Sequence, residues 1–165
     1  MARAVVLRQL TMAPRSRAQL AEKLATKNVP ADVAEAVLDR FTDVGLIDDA
    51  AFADMLVRSR QQTKGLARRA LAQDLRRKGV DDETARAALE TVTGEDEEAA
   101  ARALVRRKLR STRGVEPAKR AQRLAAMLAR KGYGAGLAYR VVRETLAEEG
   151  DVGGAGGGDD AVPEF

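Results

Sequence analysis

The sequence predicts an all-α chain, and three observations carry that reading. Hydrophobic residues make up 45% of the chain but aromatics only 3%, so the apolar mass is Ala, Leu and Val. Such residues pack between close helices, whereas strands want more β-branched and aromatic content. No alternating apolar run is long enough to make a convincing strand. Finally, one pattern recurs three times, as LAEKLATKNVPADVAEAVL (20–38), LAQDLRRKGVDDETARAAL (71–89) and LAAMLARKGYGAGLAYRVV (124–142).

The steps between these stretches are 51 and 53 residues, a period that marks stacked supersecondary units. Leu20, Leu71 and Leu124 correspond, as do Leu24, Leu75 and Leu128, then Lys27, Lys78 and Lys131. Asn28, Gly79 and Gly132 follow, where a helix would end with one residue in the left-handed conformation, open to Gly and tolerated by Asn. The next residue, Val29, Val80 or Tyr133, can then fold back on Leu24, Leu75 or Leu128, the apolar contact of a Schellman stop. A lysine just before the stop complements the negative end of the helix dipole.

The elements follow in order. The first helix is expected over 2–12. Ser16 and Gln19 form a capping-box pattern that starts the second, 16–27, and Pro30 opens the third, 31–44. Gly45 and Leu46 repeat the stop motif, with Phe41 as the partner of Leu46. Asp48–Asp49 begin a helix over 49–63, which 66–78 follows; the Asp81–Asp82–Glu83 run starts 82–92 by its negative charge. The last three are 95–112, then 117–131 opened by Pro117, then 135–148. The organisation expected is a tandem array of three-helix repeats at 1–47, 48–94 and 95–149, with a disordered Gly-rich acidic tail over 150–165.

Composition also limits the chemistry. Without Cys there is no disulfide framework, thiolate zinc site or cysteine nucleophile. Without His the commonest general base and metal ligand are missing, and Ser16, Ser59 and Ser111 have no histidine to activate them. The paired carboxylates Asp48–Asp49 and Asp81–Asp82 sit at helix starts, where capping explains them. No phosphate-cradling GxxxxGK[ST] loop exists, and the glycines of GYGAG (132–136) follow no strand. Tyr133 and Tyr139 read as core packing rather than base-stacking platforms. No enzyme activity, metal or cofactor is expected. Nor is a signal peptide or membrane span, which makes a cytoplasmic protein the expectation.

Charge follows the repeat. Residues 1–27 net +5 and 28–53 net −5; residues 54–78 net +6 and 79–98 net −7; residues 102–131 net +10, while 132–149 net only −1. In a stacked array equivalent helices line up, gathering bases into one stripe and acids into another. A basic stripe suits phosphates, and it equally suits an acidic protein groove or a salt-bridged helical surface. A helix-turn-helix reader fits less well. The charges are spread over every unit, and the helix starts carry acids where Asn, Gln and Arg should meet base edges.

GLIDDAAFADMLVRSR (45–60) followed by KGLARRALAQDLRRKGVDDE (64–83) resembles the central signature of the RecX family, bacterial regulators of the RecA recombinase. The similarity runs through SRAQLAEKL and ADVAEAVLDRF upstream and LAAMLARKGYG and LAYRVV downstream, from about residue 2 to residue 146. It departs at Ala50 and Ala51, where the family often has an acidic then a basic residue, and in the tail after Gly150. The resemblance implies an elongated, curved array of three three-helix units. It also implies a modulator that sits in the groove of the RecA nucleoprotein filament, touching single-stranded DNA directly or through RecA; a monomer is expected. There it would limit filament extension, ATP hydrolysis and strand exchange. Family signature and charge density together nominate Arg58, Arg60, Lys64, Arg68, Arg69, Arg76 and Arg77 in the middle unit. In the third unit they nominate Arg106, Arg107, Arg110, Arg120, Arg123 and Arg130. A stand-alone DNA-binding protein and a helical interaction scaffold are the alternatives.

Overall fold

A computed structural model describes the backbone of residues 1–154 and the side chains of 1–150; the rest of the expected tail lies outside the described residues. All regular structure among them is helical. The elements are α1 (Ala2–Met12), α2 (Arg17–Thr26), α3 (Ala31–Asp43), α4 (Asp49–Lys64), α5 (Arg68–Arg77), α6 (Asp82–Leu89), α7 (Gly94–Leu109), a 3₁₀ turn (Arg110–Thr112), α8 (Pro117–Arg130) and α9 (Ala135–Gly154). Four ends differ from expectation by two residues or more: α5 starts at Arg68 rather than 66, and α6 stops at Leu89 rather than 92. The helix expected over 95–112 tightens into the 3₁₀ turn after Leu109, and α9 continues past 148 to Gly154.

The repeated stops form as the pattern requires. Asn28, Gly79 and Gly132 all have positive φ. The amides of Val29, Val80 and Tyr133 donate to the carbonyls of Leu24, Leu75 and Leu128, each at 3.1 Å. Asn28, Gly79 and Gly132 donate to the residue three before, each at 3.0 Å, which completes the Schellman pair. At Gly45 the backbone motif is also present, with Leu46 N–H on the Phe41 carbonyl at 2.9 Å. Its side chain, however, is 53% exposed, and Ile47 takes the buried place beside Phe41.

By compactness the chain divides into two units, Met1–Thr93 and the part from Gly94 onward. The first unit holds two repeats with two separate apolar cores. One gathers Val6, Leu20, Leu24, Leu38, Phe41 and Ile47, and the other Phe52, Leu56, Val57, Leu71, Leu75 and Val92. Polar contacts join them. Ser16 is fully buried; its Oγ accepts from Gln19 N–H at 3.2 Å and donates to the Lys78 carbonyl, while its own amide donates to Gln19 Oε1 at 3.0 Å. One hydroxyl thus caps α2 and satisfies the end of α5. Arg17 N–H donates to Asp49 Oδ1 at 2.8 Å.

In the second unit Val105, Leu124, Leu128, Tyr133, Val141 and Val142 are buried. Three hydrogen-bonded arginine–glutamate pairs link α7 to α9: Arg140 to Glu98 at 3.1 Å, Arg102 to Glu144 at 2.5 Å, and Arg106 to Glu148 at 3.2 Å. Each joins residues 42 apart in sequence, so the two helices run in the same direction and in register.

Candidate functional site

The basic helices expected to carry function divide into cations held by the fold and cations facing outward. In every repeat the third helix supplies acids to its neighbours. Arg17 on α2 binds Glu35 at 2.9 Å and Asp39 at 2.6 Å on α3. These two partners outweigh a burial effect in the opposite direction and hold the Arg17 guanidinium above its ordinary pKa. Arg76 at the end of α5 lies 3.6 Å from Asp82 on α6, both well exposed, a geometry of little energetic consequence.

Several nominated residues are engaged internally. Arg60 Nε meets Asp74 Oδ2 at 2.9 Å and ties α4 to α5; Asp74 is only 13% exposed and also lies 3.8 Å from Arg77. Arg120 is the clearest case. Its Nε donates to Thr112 Oγ1 at 3.0 Å, Nη1 to Glu149 Oε1 at 2.8 Å, and Nη2 to the Leu109 carbonyl at 2.8 Å and Glu149 Oε2 at 3.1 Å. Four of the five guanidinium N–H groups are thereby engaged, pinning the α7–α8 turn to α9. Glu149, held by Arg120 first and Arg113 second, has its carboxyl pushed below the usual range. Sequence spacing is blind to this arrangement because the partners lie 29 residues apart.

The remaining nominated residues point outward. Arg58, Lys64, Arg69, Arg107, Arg110, Arg123 and Arg130 are exposed and have no ion pair among the described residues. Arg68 is exposed too and lines a cleft of about 350 Å³ between α5 and α6, together with Ala72, Val80 and Leu89. On α8, Lys119, Arg123 and Arg130 fall within roughly 40° of one another on the side opposite Leu124 and Leu128, at about 100° per residue. Lys119 escaped the sequence reading, although the 119, 123, 130 spacing contains the signal.

Like α1 and α3, α5 starts without a side-chain cap; it differs from them in having two cations as its first two residues. Its N-cap is Ala67, with no side-chain hydrogen bond and no acid in the first turn, and its first two residues are Arg68 and Arg69. By contrast Ser16, Asp48, Asp81 and Glu116 cap α2, α4, α6 and α8 through their side chains. Asp81 accepts from the Thr84 amide and hydroxyl, each at 2.8 Å, and its carboxyl is held below the usual range as a result. Two cations against the positive end of a helix dipole cost stability rather than adding it. Among the described residues no group of three acidic side chains is placed to hold a metal ion, and no helix is long and apolar enough to cross a membrane.

Comparison with known proteins agrees with this architecture. Three family matches tile the chain: "RecX, first three-helix domain" over residues 2–41, "RecX, second three-helix domain" over 48–89, and "RecX, third three-helix domain" over 95–142. "Regulatory protein RecX" of Thermobifida fusca (strain YX) is 57% identical over 149 residues, covering 90% of this chain and 80% of that protein. The protein of the same name from Streptomyces coelicolor (strain ATCC BAA-471 / A3(2) / M145) is 55% identical over 150 residues, covering 91% and 80%. Among solved structures, RecX from Lactobacillus salivarius has the same fold with a TM-score of 0.79 at 20% identity, covering 88% of this chain and 95% of that one. A second, described as regulatory protein RecX, gives 0.77 at 26% identity, covering 87% and 70%. Repeat, fold and relatives converge: the chain belongs to the RecX family of regulatory proteins.

Proposed function

We propose that this protein regulates the RecA recombinase by binding the assembled RecA–single-stranded DNA filament in its helical groove. Occupancy of the groove limits filament extension, ATP hydrolysis and strand exchange, with no chemistry by the regulator itself. It acts in the cytoplasm as a monomer, and the three repeats, 1–47, 48–94 and 95–149, serve as successive contact modules. The observation that carries this reading is the uncapped start of α5, where Arg68 and Arg69 sit exposed against the helix dipole. The outward cations of α7 and α8 add the density a phosphate-lined groove requires. Membership of a family of regulatory proteins sets the class of activity.

The test reverses charge at the exposed start of α5. An Arg68→Glu/Arg69→Glu variant is expected to lose at least about tenfold in inhibition of RecA ATPase on single-stranded DNA, the equivalent of roughly 1.4 kcal/mol, while its circular dichroism stays unchanged. Inhibition at the parental level would end the claim for this face. Tight binding of the parent to naked oligonucleotide, with no preference for the filament, would favour a stand-alone DNA-binding protein instead.

A further inference from the structure

A groove of about 370 Å³ lies between α1 and α2 in the first repeat, and its lining is of two kinds. Met1, Ala4 and Val5 supply apolar surface, while Arg8, Lys23 and Lys27 supply charge. Helical spacing brings these residues together. Met1, Val5 and Arg8 recur four and three residues apart along α1 and its N-cap, and Lys23 and Lys27 lie four apart on α2 and its C-cap. The two helices pack through other positions, since Val6, Leu20 and Leu24 are buried in the core of the repeat. The groove residues stay at the surface. Ala4, Arg8 and Lys27 are exposed, Val5 and Lys23 are half-buried, and Met1 is 87% exposed.

Three cations converge there without an acid. No carboxylate lines the groove, and Arg8, Lys23 and Lys27 have no ion pair among the described residues. Where this repeat uses a cation for its own packing it supplies the acids, as Glu35 and Asp39 do for Arg17. The helix dipole accounts for Lys23 and Lys27 at the end of α2, but not for Arg8 in the middle of α1.

The lining also selects among anions. No aromatic ring is present in it to stack a nucleobase, and a bare phosphate has no use for the apolar half. Lysine is a point charge that can meet a single carboxylate from many directions, whereas the arginine fork is the more specific hold on phosphate. Methionine adapts to apolar groups of irregular shape. We propose that the α1–α2 groove is a docking site for an acidic segment of a partner protein. One aliphatic side chain of that segment rests on Met1, Ala4 and Val5, and the flanking carboxylates meet Arg8, Lys23 and Lys27. The site stands apart from the reading of α5 given under Proposed function, because none of the thirteen nominated cations lines it.

The test uses the full chain and a fluorescein-labelled acidic peptide with a central leucine. Fluorescence anisotropy is expected to show saturable binding that weakens with salt, and at least about threefold when the leucine becomes serine. Ala4→Glu places a like charge in the groove and suits the first turn of a helix; it should lose at least about tenfold in affinity. Lys23→Glu/Lys27→Glu should lose as much, with helicity unchanged in both variants. In the same samples, acetylation read by mass spectrometry should show the peptide shielding Lys23 and Lys27 but not Lys64, Lys78 or Lys119. Absence of saturable binding by the parent, parental affinity in Ala4→Glu, or uniform shielding overturns the proposal. A labelled oligothymidylate that loses the same factor in Ala4→Glu, while leucine and serine peptides bind alike, makes the groove a phosphate site and overturns it equally. So does a dimer in sedimentation equilibrium that Ala4→Glu dissociates, which gives the groove to a second copy of the chain.

Discussion

At Gly79 a left-handed backbone and a neighbouring methyl group meet. Its φ of +79° disfavours any L side chain, and a Cβ placed there would lie 2.2 Å from the Cβ of Ala18. Gly45 has the same φ, with nothing within 4 Å of that position. The pair therefore separates two costs. Gly45→Ala is expected to destabilise by about 1–2 kcal/mol, the strain of the left-handed conformation alone. Gly79→Ala adds overpacking and should cost about 2–5 kcal/mol. Urea denaturation of the two variants checks the difference, and equal losses would show that Ala18 yields freely. Ser16→Ala removes the α2 cap and leaves the Lys78 carbonyl without that donor, for an expected loss of about 2 kcal/mol in the same assay. The sequence exposes the positive-φ role of Gly79 through its alignment with Asn28 and Gly132. The approach of Ala18, 61 residues earlier, is beyond any local pattern.

Among the elements, α5 carries an internal contradiction that a stability measurement reads directly. Arg76 and Arg77 lie in its last turn, where cations are favourable, and Arg68 and Arg69 in its first, where they are not. Reversing Arg69 to Glu should raise unfolding stability by about 0.3–1 kcal/mol while regulatory activity falls. A loss of stability instead would mark Arg69 as structural. The packing of α7, α8 and α9 makes the opposite kind of prediction. Glu98, hydrogen-bonded by Arg102 and facing Arg140, and Glu149, hydrogen-bonded by Arg120, both have carboxyls below their ordinary value of 4.5. A depressed folded value means that stability is present above pH 4.5 and is lost as pH falls through the depressed values. Arg120→Ala should lower stability at neutral pH and shrink that acid dependence, as thermal melts across an acid series will show. At the alkaline end, burial first and Glu97 second push Tyr133 from 10.0 up to about 12. Its contribution is full below pH 10 and is lost as pH rises toward 12, so Tyr133→Phe should flatten the alkaline fall.

For the whole molecule the relevant quantity is the distribution of charge rather than its net value of +4. Removing the acids after residue 149 leaves +8 on residues 1–149, and part of that charge is neutralised where acids of α3 and α9 bind arginines of α2, α7 and α8. The cations left outward should dominate affinity for any polyanion. Binding by the parent is thus expected to weaken steeply and log-linearly with salt, with a shallower slope in the Arg68→Glu/Arg69→Glu variant. Identical slopes would remove α5 from the interface. Among the described residues the nine α-helices, their stops and most of their caps were legible in advance, because each depends on residues within one turn of one another. The thirteen nominated cations were legible only as a class. Arg60 and Arg120 have the same sequence signature as Arg69 and Arg123, and their partners Asp74 and Glu149 arrive from other helices.

The sequence by itself determined the all-α class, the threefold repeat, the positions where the chain must turn, and the absence of histidine and cysteine chemistry. These follow from backbone conformation, short-range capping and composition, none of which needs a distant partner. Tertiary structure alone decided that the first two repeats form one compact unit, joined by Ser16 to Lys78 and Ala18 to Gly79. It also decided that α7 and α9 run parallel, and which arginines remain available. The reason is physical: an arginine's role is set by whichever carboxylate comes within about 3 Å of it, and packing brings in residues that lie far away along the chain.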